Sequence, residues 1–353
     1  MTNLWQKAFA MRGWAVAAGA VVSILSTSSG LAAASSPLPP TQAAREIAPA
    51  APVRQAESVI LVVFEGVGQE SLKSGSMPVF SRLVKEGSVT WSATAVKPAL
   101  RLPTMASLLM GLPVEKHGVT WDSFDFARGY PRPPTVFDYL DLSGGKDSAI
   151  FFMDESLYQL AKPEPYTDYQ MCGPMKPECS TATVVGYIRD YFRKATSGHG
   201  YGHAILSLPH FLVVHLPEAA RAGQANGWNS RAYKDALRTV DSAMGSILEL
   251  YRELGLIEQT AVFVTALNGR GAAKASANGA DVPHVPWVAW GAGIKAGKVI
   301  QQPVSILDTG ATVLRALGLE THTEWESRAV EEIFVGPRSA GTDMSSDLDP
   351  HAR

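Results

Sequence analysis

Cysteine is scarce in this chain, which has only Cys172 and Cys179 among its 353 residues. Their spacing is not Cys-x-x-Cys, which disfavours a redox motif, whereas in an oxidising compartment the pair could close a small loop. No cysteine lies near Ala34, where the N-terminal leader described below is expected to end, which argues against a lipoprotein anchor. Long basic runs are also missing and the formal net charge is −2, so we expect no nucleic-acid partner.

The leader lacks an uninterrupted apolar stretch long enough for a clear membrane span. Lys7 and Arg12 form a short basic region before an apolar run over 14–25, and "GLAAASS" then offers an Ala-x-Ala cleavage signal near Ala34. Serines interrupt this segment, whereas a span needs about 20 apolar residues. We therefore predict a signal peptide over 1–34 and a periplasmic or secreted protein. The alternative is an uncleaved anchor, the only case in which we expect membrane association.

Apolar residues, by contrast, are abundant and make up 46% of the chain, enough for a sizeable core. A Pro/Ala-rich stretch without apolar periodicity predicts an extended linker over 35–57. Buried-strand patterns such as "SVILVVF", "HFLVVHL" and "TAVFVTAL" then alternate with amphipathic helix patterns. We predict one α/β domain over 58–336, with a mostly parallel sheet and helices on both faces, and a disordered polar tail over 337–353.

In such a sheet, functional residues collect in the loops at the carboxyl ends of the strands. The loops to consider lie after Phe64, before Pro103, after Leu216, after Val264 and before His284.

Six segments resemble segments of a known family, and they occur in the same order along the chain. They are "VILVVFEGVG", "PVFSRLVKEGSVT", "PALRLPTMASLLMGLPVEKHGV", "VDSAMGSILELYRELGLIEQTAVFVTALNG", "VPWVAWGAGIKAG" and "SILDTGATVLRALGL". Together they resemble the alkaline phosphatase superfamily, most closely its type I phosphodiesterase/nucleotide pyrophosphatase branch. The resemblance implies a three-layer α/β sandwich. It also implies hydrolysis of phosphoric esters by two zinc ions, held by Asp and His, that activate a Thr, Ser or Cys nucleophile.

Matched position by position, the resemblance leaves little of that chemistry in this chain. The family's first Asp corresponds to Glu65, and its nucleophile corresponds to Arg101, whose guanidinium cannot attack phosphorus. Glu65 alone keeps a carboxylate and no position keeps an imidazole, so we expect no two-zinc site and no bound cofactor. The other ligand positions hold Ala220, Gln224, Leu267, Asn268 and Asn278.

Arg101 has two interpretations. Either it forms an ion pair with Glu65 across the emptied site, or it binds a phosphate, sulfate or uronate group at a helix start, with Arg270 joining it. The candidate ligand-binding residues are therefore Glu65, Arg101, Gln224, Asn268, Arg270 and Asn278.

A third interpretation is a single metal site displaced to neighbouring side chains, in a divergent phosphodiesterase, phosphatase or sulfatase-like hydrolase or transferase. Its candidate ligands are His215, Glu218, Asp281 and His284. His117 in "EKHG" matches a family histidine that is not a metal ligand, and we expect a framework role for it. The preferred hypothesis is a pseudoenzyme that binds an anionic small molecule or glycan, or an envelope protein partner.

Overall fold

The computed structural model describes residues 53–143, 145–161, 169–171, 180–198, 200–201, 204–205, 207–269 and 284–336. They belong to one unit, Ala50–Arg353. Several predictions lie outside the described residues: the leader, the tail, and those on Cys172, Cys179, Arg270, Asn278 and Asp281.

The strands follow the apolar runs of the sequence. They are β1 (Ser58–Phe64), β2 (Ser88–Thr94), β3 (Ser148–Phe151), β4 (Tyr169–Met171), β5 (Gly200–Tyr201), β6 (Ala204–Ile205), β7 (Phe211–Leu216), β8 (Thr260–Ala266), β9 (His284–Gly291) and β10 (Lys298–Val299).

The helices follow the amphipathic segments. They are α1 (Gln69–Leu72), α2 (Pro78–Glu86), α3 (Arg101–Met110), α4 (Val114–His117), α5 (Val136–Leu142), α6 (Thr181–Thr196), α7 (Glu218–Asn226), α8 (Arg231–Glu253) and α9 (Asp308–Ala316). Short 3-10 turns cover Phe126–Arg128, Glu155–Gln159, Ile257–Gln259 and Glu331–Ile333. No described helix is both long enough and apolar enough to cross a bilayer.

Eight of the described strands form one sheet in the order β10-β2-β9-β8-β1-β7-β3-β4. The central strand β1 runs parallel to β7 and β8, and β3 runs parallel to β4 and β7. The prediction of a mostly parallel sheet is confirmed. β9 is the exception, since it runs antiparallel to both β2 and β8.

Helix layers cover the sheet. All of β1 except Ser58 is buried, so side chains on both of its faces are covered, as a central parallel strand requires. The 23-residue α8 packs with α2, α6 and α7, while α3 packs with α4 and α9, and α5 with α9. This is the predicted three-layer α/β architecture.

The two ends of the parallel strands form two opposite edges of the sheet, and these have different roles. At the carboxyl edge, Phe64 pairs with Leu216 and with Ala266, so β1, β7 and β8 end side by side and their following loops meet. At the opposite edge the chain enters the domain, where the backbone N–H groups of Ala56 and Glu57 already donate to domain carbonyls. The domain contacts therefore begin before residue 58.

Candidate functional site

The loop after β1 is packed too closely for any residue except glycine at its turn. Gly66 has φ of 70°, and a Cβ there would approach the Cα of Ala220 to 2.7 Å and the Trp228 ring to 2.9 Å. Its N–H donates to Asn268 Oδ1 at 2.9 Å, and its carbonyl accepts from the Tyr233 hydroxyl at 2.9 Å. These contacts fix Glu65, the residue before the turn, at the carboxyl edge.

Helix α3 places Arg101 in its first turn. The N-cap residue, Leu100, is extended and supplies no side-chain cap. Asp122 supplies one instead, because its Oδ1 accepts the Leu102 N–H at 2.7 Å, and burial raises the pKa of this carboxyl above its ordinary value. A carboxylate of the protein therefore already occupies part of the helix start that a ligand anion was expected to use.

Glu65 and Arg101 form a side-on fork. Arg101 Nε donates to Glu65 Oε1 at 2.5 Å and Nη2 donates to Oε2 at 3.3 Å, the two-point geometry of a guanidinium on a carboxylate. The predicted ion pair is confirmed. Burial raises the pKa of Glu65, but the hydrogen bond and charge of His215 and those of Arg101 outweigh it and hold the pKa at about 2. Glu65 is therefore ionised.

His215 extends the cluster from β7, where it pairs with Val63 of β1. Its Nε2 lies 2.7 Å from Glu65 Oε1, and the imidazole is fully buried. Since Glu65 is a carboxylate, Nε2 must be the donor of this bond. The other ring nitrogen, Nδ1, is buried and has no hydrogen-bond partner among the described residues. His215 was predicted as a ligand of a displaced metal, and the structure instead assigns its Nε2 to Glu65.

Two further charged residues complete the site and were not singled out from the sequence. Arg101 Nη1 lies 2.8 Å from Asp154 Oδ2, and Arg221 Nη2 lies 3.7 Å from the same oxygen. Asp154 follows β3 by three residues, so the carboxyl-edge rule would have found it had β3 been included among the loops to consider. Arg221 sits next to Ala220, one of the positions matched to a lost ligand.

Known proteins resemble this chain in sequence and in fold. A model of the family described as type I phosphodiesterase/nucleotide pyrophosphatase matches residues 59–277. The chain belongs to this family. Solved relatives agree at the level of fold: a structure of murine ectonucleotide pyrophosphatase/phosphodiesterase 5, an inactive form in complex with AMP, superposes with a TM-score of 0.58 at 13% identity, covering 79% of this chain and all of that one.

Curated relatives of this phosphodiesterase-family chain include two kinds of hydrolase. N-acetylgalactosamine-6-sulfatase of Rattus norvegicus is 35% identical over 179 residues, which are 44% of this chain and 34% of that protein. Human ectonucleotide pyrophosphatase/phosphodiesterase family member 1 is 24% identical over 210 residues, which are 56% of this chain and 22% of that protein. The chain therefore aligns with about a third or less of the length of either relative.

Four other predicted site residues lie within the described ranges: Glu218, Gln224, Asn268 and His284. Asn268 holds the Gly66 turn, while Gln224 is exposed on α7. For the displaced metal site, Glu218 Oε1 accepts the Thr181 N–H at 3.0 Å, and the exposed His284 has its Nδ1 3.2 Å from the Ser92 carbonyl. Glu218 and His284 thus have separate local contacts.

The residues present do not fit the zinc pair that the family fold implies. Ala220 and Leu267 are buried and have no donor atom, and the cation of Arg101 already neutralises the carboxylate of Glu65. Within the described ranges, no group of three His, Cys, Asp or Glu side chains is arranged to hold a metal ion. Zinc sites generally need about four N, S or O ligands.

His117 has the geometry expected of a framework residue. Its Nε2 lies 2.9 Å from Ser107 Oγ, and its Nδ1 accepts the Val119 N–H at 3.0 Å. Because Nδ1 accepts, the ring proton is on Nε2 and bonds to Ser107. Burial lowers the pKa of His117 to about 4, so the imidazole stays neutral and links α3 to the end of α4.

Proposed function

We propose that this protein is a pseudoenzyme of the phosphodiesterase family. It keeps the family fold, does not catalyse metal-dependent ester hydrolysis, and acts by binding an anionic ligand or a protein partner outside the cytoplasm. The observation that carries the proposal is the fork between Arg101 and Glu65, which fills the position of the nucleophile with a cation.

Arg101 has no role in nucleophilic chemistry. Its guanidinium stays protonated, because desolvation lowers its pKa but the charge and hydrogen bond of Glu65 raise it further, above the ordinary value. Three of its nitrogens face carboxylate oxygens of Glu65 and Asp154. A group with these properties supplies neither an attacking atom nor a proton acceptor.

The arginine is consistent with a site that functions without metal. Where two divalent cations are absent, several clustered carboxylates would repel one another and raise each other's pKa values. Of the positions matched to metal ligands, Ala220 and Leu267 hold neutral side chains, and the one that keeps a carboxylate, Glu65, is paired with the guanidinium of Arg101. The nucleophile position and the ligand positions are thus altered together. This supports loss of hydrolysis better than replacement of one nucleophile by another.

The relatives suggest the chemistry of the ligand. One is named as a sulfatase of a sulfated amino sugar, and the murine structure holds AMP. A sulfate or phosphate group, carried by a small molecule or a glycan, is therefore the anion we propose. The predicted signal peptide supports a periplasmic or secreted location, where an envelope protein is the alternative partner.

The test is metal-dependent turnover. Protein purified without chelator should contain no stoichiometric zinc, and it should hydrolyse neither a nitrophenyl phosphodiester nor a nitrophenyl sulfate above the protein-free rate, with or without added zinc. The variant Arg101→Thr, which restores a hydroxyl, should stay inactive because Ala220 and Leu267 still supply no ligands. Zinc-dependent turnover by the wild-type protein that a chelator abolishes would overturn the proposal.

A further inference from the structure

One oxygen of Asp154 lies between two guanidinium groups. Its Oδ2 is 2.8 Å from Arg101 Nη1 and 3.7 Å from Arg221 Nη2. The other oxygen, Oδ1, caps the turn Glu155–Gln159 by accepting from the N–H and the hydroxyl of Ser156 at 3.1 and 2.7 Å. One oxygen of Asp154 thus caps a turn, while the other faces two guanidinium groups. Two guanidiniums around one oxygen is an arrangement in which proteins hold oxyanions.

The two arginines are oriented by contacts that do not involve Asp154. Glu65 holds Arg101 through two hydrogen bonds, and the carbonyl of Met153 accepts from Arg221 Nη2 at 2.8 Å. Both guanidiniums would therefore keep their direction if the carboxylate were removed. Such prior orientation lowers the cost of binding an anion between them.

The cluster is also partly open to water. Side-chain exposure is 22% for Arg101, 37% for Arg221 and 17% for Asp154. Asp154 Oδ2 already faces both guanidiniums, so an outside anion has to compete with it for the same N–H groups. Without Asp154, the two guanidiniums would have one negative charge fewer beside them and would keep their partial exposure to solvent.

We infer that Arg101 and Arg221 form an anion site for a tetrahedral sulfate or phosphate group, free or in an ester, and that Asp154 occupies this site as an internal competitor. The inference rests on the proposed function, since it specifies how the emptied catalytic site binds its anion. A ligand gains the site by displacing the carboxylate of Asp154 from the guanidiniums.

The experiment compares two matched capping variants. Asp154→Ser removes the carboxylate but keeps a side-chain oxygen for the cap. Asp125→Ser is the control, because Asp125 also caps a 3-10 turn, accepting from the Ala127 N–H at 3.0 Å, and also pairs with an arginine, Arg128, at 3.1 Å. Calorimetric titration with inorganic sulfate and inorganic phosphate, at constant ionic strength set with chloride, measures Kd for each.

We expect Asp154→Ser to bind both anions at least about tenfold more tightly than the wild-type protein and Asp125→Ser do. Adding Arg221→Gln to Asp154→Ser should reverse most of that gain. Equal Kd values for Asp154→Ser and the control would overturn the inference, and so would a gain that survives Arg221→Gln. If Asp154→Ser does not fold, Asp154→Asn removes the same charge with the original shape and is held to the same outcomes.

A comparison of inorganic phosphate with glucose 6-phosphate on Asp154→Ser then identifies the source of the anion. Equal or tighter binding of the ester supports an ester group as the occupant, and binding of the inorganic ion alone supports the free ion. The outcome is separate from the hydrolysis test. Zinc-dependent turnover would overturn the pseudoenzyme, whereas a failed titration without turnover would overturn only the anion site.

Discussion

Two arginine–glutamate forks in this molecule use the same atoms in opposite surroundings. Arg101 contacts Glu65 through Nε and Nη2 at 2.5 and 3.3 Å, and Arg315 contacts Glu331 through the same atoms at 2.8 and 3.5 Å. The carboxylates differ in exposure, since 2% of the Glu65 side chain is accessible and 48% of the Glu331 side chain is.

The difference in exposure shows that two ion pairs of the same geometry can contribute differently to stability. Water solvates and screens the fork of Glu331, so its net contribution should be small. Glu65 has lost its water, so its charge depends on the hydrogen bonds from Arg101 and His215. The buried fork also joins β1 to α3 at the place where the family has metal chemistry. Removing one partner should therefore have very different consequences in the two places.

The largest effect is expected from truncating the arginine that pairs with the buried carboxylate. Arg101→Ala leaves the ionised Glu65 buried with His215 as its main remaining partner, and we expect a loss of about 3–5 kcal/mol in the free energy of unfolding. The matched change Arg315→Ala should cost about 0–1 kcal/mol. Urea denaturation followed by circular dichroism measures both values.

A double variant shows whether the loss comes from the stranded charge. Arg101→Met with Glu65→Gln removes both charges, and it should recover a large part of the stability that Arg101→Ala loses, because no uncompensated carboxylate remains. Equal losses for Arg101→Ala and Arg315→Ala would contradict the claim that burial separates the two forks.

The sequence predicted the sheet better than its strand directions. The runs that became β1, β7 and β8 are apolar along their whole length, as parallel strands covered on both faces are. β9 has the same kind of run but is antiparallel to its neighbours. An apolar run indicates that a strand is buried but not in which direction it runs. The direction is determined by pairing with strands that are distant in sequence.

The site was predicted only in part, for a related reason. Glu65 and Arg101 were found because motif matches placed them at the positions of a metal ligand and a nucleophile. Asp122, Asp154 and Arg221 occupy no such positions, and single polar residues in a loop or on a helix resemble ordinary surface residues. They become part of the site only when α3, the end of β3 and α7 are brought together by the fold.

Lowering the pH should have the next largest effect, and it acts on the buried carboxylate of Glu65. The pKa of Glu65 is about 2 in the folded protein against an ordinary value of 4.5. Its contribution is therefore fully present above pH 4.5 and is lost as the pH falls towards 2, by an amount on the order of 3 kcal/mol. In urea titrations across this window, Glu65→Gln should lose that part of the acid dependence. A wild-type slope retained in Glu65→Gln would assign the acid sensitivity to other groups.

The smallest expected effect is the response to salt, which acts on the exposed fork. A double-mutant cycle of Arg315→Ala and Glu331→Ala should give a coupling energy of about 0.2–1 kcal/mol at low ionic strength, falling close to zero in about 0.5 M NaCl. The corresponding cycle of Arg101→Ala and Glu65→Ala should keep most of its coupling at the same salt concentration, because ions in solution screen a buried pair much less. If salt reduced both couplings by the same fraction, Glu65 would have to be reached by solvent ions. The contrast in exposure between Glu65 and Glu331 would then not govern their energetics.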